Sequence, residues 1–298
     1  MSEINSVSVY EEEKAKTPEG SYRNLNTFVR VIREMQERDM DVFVIISGPK
    51  GGGKSTLALQ LTKRLVELYF PEINFYRQLK DFVVYDIDEM EENLLDESKM
   101  YYPLDGDEVV RYMLAEDWAK AESKRLKKIL TQIRINHRAF FGCVPDFWWL
   151  DRKYREELVP FWIEVVGRGV GILFTQDRKI GIDDRWHKEW FRKVKGTFTI
   201  FTPVEKFVKT YSRHPCFLDV ITYPPVEKRL WEKYMQLRRQ TLNTYKASEK
   251  RRIPVDPILF AKAYEFKKTG ASYATIAREL GISYRRVYSW LSPIFKER

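Results

Sequence analysis

Gly48, Pro49, Lys50, Gly51, Gly52, Gly53, Lys54 and Ser55 fit the pattern GxxxxGK(S/T) with no departure, and Thr56 follows them. Glycines at these positions let consecutive backbone N–H groups turn inward around phosphate oxygens. The start of the following helix adds the positive end of its dipole. In such a loop Lys54 reaches the β and γ phosphates, and the Ser55 hydroxyl ligates Mg²⁺. The chemistry expected of residues 48 to 56 is the binding of ATP with Mg²⁺, with Lys54 acting on the transferred phosphoryl group.

A magnesium ion held by Ser55 and phosphates alone needs a further carboxylate from the end of a neighbouring strand. The run "MYYPLDGDE" supplies Asp107 as the expected metal ligand, and Glu108 as the base that accepts a proton from attacking water. Asp105, in the same run, is the rival of Asp107. The earlier stretch "VVYDIDE" fits better as the acidic entry to a helix, where Asp86, Asp88 and Glu89 complement the helix dipole.

These side chains need a scaffold, and the apolar pattern describes one. "DVFVIISG" (41–48) is a continuous apolar run of the kind buried on both faces of a parallel sheet. "KSTLALQLTKRLVELYF" then takes helical spacing and stops at Pro71. "FVVYDIDEM", "MYYPLDGDE" and "AFFGCVP" read as further strands, and "EDWAKAESKRLKKILTQIRINHR" as a long basic helix. "FWIEVVGRGVGILFTQD" reads as one or two strands more. Upstream, Phe28, Val31, Ile32 and Met35 recur at helical spacing. Such alternation predicts an α/β fold with a mostly parallel sheet, right-handed crossovers and flanking helices.

Residues 1–20 lack periodicity and are expected to form a flexible arm. The charged segment 226–252 reads as a long helix, and Pro254 and Pro257 end it. This places an ATPase domain over 21–250 and a separate domain over 251–298.

Residues 41 to about 176 resemble P-loop ATPases of the additional-strand catalytic-glutamate group, whose hallmark is a strand ending like Asp107-Glu108. The resemblance implies a further strand carrying a polar sensor for the γ-phosphate and attacking water. Asp146 after "AFFGCVP" is one candidate. Gln176 is another, because Thr175-Gln176 is similar to the strand ending of FtsK/HerA-like DNA translocases, although it lies one predicted strand later. The stretch from Asp107 through "IRINHRAFFGCVPDFWWLD" also resembles zonular-occludens-toxin-like ATPases of viruses and plasmids. Oligomeric members complete the site with an arginine from a neighbouring subunit. Arg134, Arg138, Arg152, Arg155 and Arg168 are the candidates, and a homo-oligomer is the matching expectation.

The tail carries a second pattern. In "SYATIARELGISYRRVYSWL" (272–291), Ala277, Gly281 and Val287 have the small, turn and core spacing of a helix-turn-helix. Ser283 would cap the second helix, which would present Tyr284, Arg285, Arg286, Tyr288 and Ser289 to a major groove. The segment is similar to the helix-turn-helix domains of resolvases and transposases, and the implied partner is double-stranded DNA. Residues 251–298 hold ten Lys and Arg against four Asp and Glu, so this small all-α domain carries +6 of the chain's +9.

Two cysteines, Cys143 and Cys216, give neither a disulfide framework nor a zinc cluster, and His137, His187 and His214 are isolated. The aromatics Phe147, Trp148 and Trp149 are read as core or interface, with base stacking as the alternative. No run approaches the ~20 apolar residues needed to cross a bilayer, so a cytoplasmic protein without a membrane segment is expected. The combined expectation is an ATPase of a mobile element or virus that couples ATP to DNA translocation, packaging, partition or transposition. An ATP-switched DNA-binding regulator is the alternative, and a small-molecule kinase a more distant one.

Overall fold

A computed structural model describes residues 22–40, 42–106, 136–179, 183–199, 202–250, 256–292 and 294–295, with single residues between 113 and 130. The expected arm 1–20 lies outside them, as do Asp107, Glu108, Arg134 and most of the basic segment that follows Glu108. The chain divides into two compact units, Met1–Arg238 and Arg239–Arg298.

The first unit is a mixed α/β layer structure. Its described residues form seven strands, β1 (Tyr22–Asn24), β2 (Val42–Ser47), β3 (Pro103–Asp105), β4 (Ala139–Cys143), β5 (Phe161–Gly167), β6 (Val170–Thr175) and β7 (Phe217–Thr222), in the order β1-β7-β6-β5-β2-β4-β3. All neighbours pair in parallel except at β6, which runs against both β5 and β7. "FWIEVVGRGVGILFTQD" is therefore a hairpin, where strict strand–helix alternation would have demanded a crossover. The two residues Arg168 and Gly169 make its turn, with Gly169 at φ +81°. "FVVYDIDEM" contributes a single bridge, Val83 to Asp105, instead of a strand.

β2 and β4 are buried along their whole length, as central parallel strands covered on both faces must be. One face packs Val42, Val44 and Ile46 against Phe28 and Ile32 of helix α1 (Leu25–Glu37) and Leu57 and Leu61 of helix α2 (Lys54–Tyr69). On the other face Phe43, Ile45, Phe140 and Trp162 meet Met90 and Leu94 of helix α3 (Ile87–Leu95), and Phe191 and Tyr211 from the helices Lys188–Lys195 and Val204–Tyr211. Phe147 is buried in this layer, Trp148 packs on it, and Trp149 is exposed. Asp86 caps α3, accepting from the amides of Asp88 and Glu89 at 2.9 and 2.8 Å.

The C-terminal carbonyls of α3 have no partner within the helix, and the entry to β4 supplies one for two of them. The Arg138 guanidinium donates to the carbonyls of Asn93 and Tyr102, both at 2.7 Å, and the Asn136 amide donates to Leu94 at 2.7 Å. Burial pulls the Arg138 pKa down to about 10, leaving it charged at neutral pH.

The second unit contains the C-terminal part of the helix Lys228–Lys250 and three short helices, Pro257–Lys268, Tyr273–Glu279 and Tyr284–Leu291. Asp256 caps the first of the three, with Pro257 at its opening position, and Ser272 caps the next through the amide of Thr275. Gly270 at φ +88° and Gly281 at φ +64° make the two turns. Ala263, Tyr273, Ile276, Ala277, Val287, Trp290 and Leu291 form the core.

Replacing Arg138 by Met should orphan two buried carbonyls and lower stability by about 2–4 kcal/mol. Denaturant unfolding checks this, and a loss below ~1 kcal/mol would mean that water reaches them.

Candidate functional site

The glycine-rich loop leaves the end of β2 at the point where the chain first builds toward β3 and β4 on one side and later toward β5 on the other. Crevices at the carboxyl ends of such strands are where open α/β sheets place ligands. Gly48 has φ +138°, and a Cβ there would lie 2.5 Å from the carbonyl oxygen of Val165 on β5. No side chain fits. Its amide donates to Pro145, just past β4, at 3.4 Å. Gly51 and Gly53 also take positive φ, +78° and +106°, and Gly53 leads into α2. Gly52 closes a turn on Pro49 at 3.0 Å.

The Lys54 ammonium folds back over this loop and donates to the carbonyls of Gly48 at 2.8 Å and Pro49 at 2.9 Å. Lys50, Gly51, Gly53, Lys54, Ser55 and Thr56 line one wall of a cleft of about 1210 Å³. Its other walls come from strand ends at the same edge of the sheet: Cys143 to Pro145 after β4, Arg168 and Gly169 in the hairpin turn, and Tyr223 to Val226 after β7. Trp231 and Arg238 complete it. Among the described lining residues the charged ones are all basic, a setting for a polyanion. The glycine cradle, the start of α2, Lys54 and Ser55 fit a magnesium nucleotide.

Tyr223 ties the cleft together. Its amide donates to Gly169 at 3.0 Å, and its hydroxyl to the carbonyl of Gly53 at 3.4 Å. The glycine-rich loop and the hairpin turn thus share one clasp.

Asp105 ends β3, is fully buried, and pairs in register with Phe141. Phe141 packs in the layer with α2, so Asp105 points to the face from which α2 carries Ser55. Asp146 lies beyond β4, one residue after Pro145, whose carbonyl takes the Gly48 amide. Its carboxylate accepts from the Trp148 amide at 3.0 Å and from Lys195 at 2.5 Å.

Gln176 must be corrected. Because β6 is antiparallel, its end lies beside the start of β5, with Thr175 opposite Phe161, at the sheet edge away from the loop. There its amide donates to the carbonyls of Arg155, Glu156 and Val159. It holds a turn and does not face the cleft. Of the candidate arginines, Arg138 and Arg155 are buried and donate to main-chain carbonyls, Arg152 is exposed, and Arg168 lines the cleft.

Sequence reasoning missed Glu164. It is half-buried on β5, paired in register with Ser47, whose hydroxyl donates to its carboxylate while accepting from the Trp162 indole at 2.5 Å. Burial, the dominant cause, raises its pKa to about 7; the Ser47 hydrogen bond and the charges of Lys195 and Lys54 pull the other way, and Asp146 adds to the rise. A charge inside the apolar run "FWIEVVG" was the available signal.

In the second unit Ser283 takes the N-cap position of the last helix in extended conformation, but its side chain makes no capping hydrogen bond, and Tyr284 and Tyr288 are exposed with rings stacked at 6.0 Å. The side chains of Arg285, Arg286 and Ser289 are outside the described residues.

No family model matches the chain, and no curated protein matches it. Among solved structures, that of C. elegans PCH-2 overlaps 48% of this chain and 42% of its own at 15% identity and a TM-score of 0.30. This chain therefore spans less than half of that structure. In the E. coli MS115-1 HORMA:CdnC:Trip13 complex, the overlap covers 65% of this chain and 73% of the matched one, at 15% identity and a TM-score of 0.31. Overlaps this loose carry no argument about function.

Two outcomes test the site. Gly48→Ala should abolish nucleotide binding, because the methyl would press on a main-chain oxygen that cannot move without β5; unchanged binding in an equilibrium titration would contradict the wedge. Glu164 has its folded pKa raised, so it contributes stability that is present near pH 4.5 and lost as pH rises through about 7. Relative to wild type, Glu164→Gln should therefore gain stability progressively over that interval. A difference independent of pH would remove the assignment.

Proposed function

We propose that this chain is a magnesium-dependent ATPase of a mobile element or virus that binds double-stranded DNA and couples ATP to moving, packaging, partitioning or transposing it. The observation that carries the reading is the phosphate loop, with its glycine wedge and Lys54, at the carboxyl end of the central strand. Amides of Gly51 and of residues 53 to 55 would hold the β and γ phosphates, with Lys54 leaving its carbonyl partners for the phosphoryl oxygens. Mg²⁺, bound by Ser55 and a carboxylate from Asp105 or Asp107, would offset phosphate charge. Glu108 would take the proton of the attacking water, and Asp146, exchanging its Lys195 partner for that water, would orient it.

Support for DNA as partner comes from the +6 of residues 251–298 and from the three short helices with two exposed tyrosines on the last. Arg285 and Arg286 are the proposed base or phosphate contacts, with Ser283, Tyr284, Tyr288 and Ser289 around them. A homo-oligomer would supply an arginine across subunits, with Arg134, Arg152 and Arg168 the remaining candidates.

Lys54→Ala should eliminate turnover, while Glu108→Gln should keep ATP binding and lose hydrolysis, because an amide cannot accept the proton. Normal turnover by Glu108→Gln would exclude Glu108 as the base. Turnover measured with and without duplex DNA tests the coupling: stimulation supports a motor, a slow rate under DNA control supports the regulator, and indifference removes DNA from the mechanism.

Arg285→Ala and Arg286→Ala should each weaken duplex binding by about 1–3 kcal/mol where they meet base edges, relaxing preference at one position. A contact to phosphate alone would weaken all sequences alike and reduce the salt dependence. Duplex binding unchanged in both variants would transfer DNA contact elsewhere on the chain.

A further inference from the structure

We infer that Arg168 binds the nucleotide of its own chain: from the turn of the β5–β6 hairpin its guanidinium takes the α-phosphate, on the side of the loop away from the carboxylates. This rests on the nucleotide reading and deepens it. It also withdraws Arg168 from the arginines proposed to act across subunits.

The direction of the triphosphate follows from where the acidic groups are. Asp105 ends β3, Asp107 and Glu108 follow it in sequence, and Asp146 follows β4, so the groups proposed for metal and water belong to strands on one side of β2. They serve the γ-phosphate, where the bond breaks. The cleft extends to the other side. Beyond the loop and Cys143 to Pro145, it is lined by Arg168 and Gly169 after β5, by Tyr223 to Val226 after β7, and by Trp231 and Arg238. A triphosphate whose γ end meets the carboxylates therefore turns its α-phosphate toward β5, with its nucleoside in this wider part.

β5 is the strand pressed against the loop, since a Cβ on Gly48 would meet the Val165 carbonyl. Arg168 stands three residues further on, at most about 10 Å of extended chain. The turn that carries it is held from several directions. Gly167 and Val170 pair across the hairpin, and a Cβ on Gly167 would come 2.8 Å from a methyl of Val204. The Gly169 carbonyl accepts from the Tyr223 amide at 3.0 Å, and the Tyr223 hydroxyl donates to Gly53, at the head of α2, at 3.4 Å. The backbone of Arg168 is thus fixed relative to the loop, while its side chain is exposed and lines the cleft. A guanidinium offers a planar fork of donors suited to phosphate oxygens, and a fixed backbone lowers the ordering cost of using it.

The position sets the kinetic consequence. An α-phosphate is present in ATP, in ADP and in the transition state, so a contact to it binds all three alike and lowers KM without raising kcat. An arginine from a neighbouring subunit, aimed at the charge that develops on the transferred phosphoryl group, would act on kcat.

The full-length protein tests this with ATP and ADP as probes. Arg168→Ala should weaken equilibrium binding of both alike, by about tenfold or more, and raise KM, with kcat at saturating ATP within about twofold of wild type. Arg168→Lys should restore part of the affinity, because it keeps the charge and loses the fork. Thermal unfolding of the ligand-free Arg168→Ala protein should match wild type. Loss of kcat with ADP binding unchanged overturns the inference, and so does a loss of ligand-free stability that accompanies the loss of affinity. Recovery of turnover on mixing Arg168→Ala with Lys54→Ala overturns it too, because the Lys54→Ala subunit would then be lending its Arg168 to an intact loop. Failure of the wild-type protein to bind ATP or ADP removes the nucleotide reading itself, and this inference with it.

Discussion

A glycine-rich loop proposed to cradle phosphate faces opposing demands: some of its amides must stay available, yet its backbone must stay in place. Here the second demand is met at the loop's two ends. Gly48 is pressed against the main chain of β5 so closely that even a methyl group is excluded, and its amide reaches back to Pro145 beyond β4. At the other end the Gly53 carbonyl takes the Tyr223 hydroxyl. The loop is clamped between strands on both sides of β2: β4 and β5 are the neighbours of β2, and β3 lies outside β4.

The same crowding explains the polar cluster beneath the loop. A parallel sheet buried on both faces has little room for charge, yet Glu164 sits opposite Ser47 in the layer that contains Trp162. Ser47 accepts from the indole and donates to the carboxyl, so one hydroxyl satisfies two neighbours that would otherwise be poorly solvated. Near neutrality the carboxyl lies close to its raised pKa of about 7, so its charge, sensed by Lys54 and Lys195, varies over a physiological interval. Local electrostatics at the loop's root are therefore tied to pH through a residue that belongs to the sheet.

Much of this was legible in the sequence where one residue type has one physical use. Consecutive glycines before Lys54 and Gly281 at a turn of the tail announce their conformations because few other residues adopt them, and the all-apolar run before the loop announces a strand buried on both faces. Asp86 was legible as part of an acidic helix entry because carboxylates complement the dipole there, and the structure makes it the cap. What could not be read was which strand lies beside which. Periodicity does not distinguish a crossover from a hairpin, so neither the reversal at Arg168–Gly169 nor the pairing of Ser47 with Glu164 was visible. Tyr223 escaped notice because its role depends on three segments meeting, at Gly53, Gly169 and its own position.

The reversal at β6 also explains why Gln176 and Tyr223 exchange importance. In a parallel sheet every strand ends at the same edge, and a polar residue after any of them faces the crevice. One antiparallel step inverts this. The residue after β6 is delivered to the far edge, where the Gln176 amide donates to main-chain carbonyls. A second step, from β6 to β7, restores the original direction, so the residue after β7 returns to the edge where β2 ends. Tyr223 is that residue, and Pro224, Pro225 and Val226 follow it along the cleft. The hairpin thus removes one strand end from the site and commits the next to it.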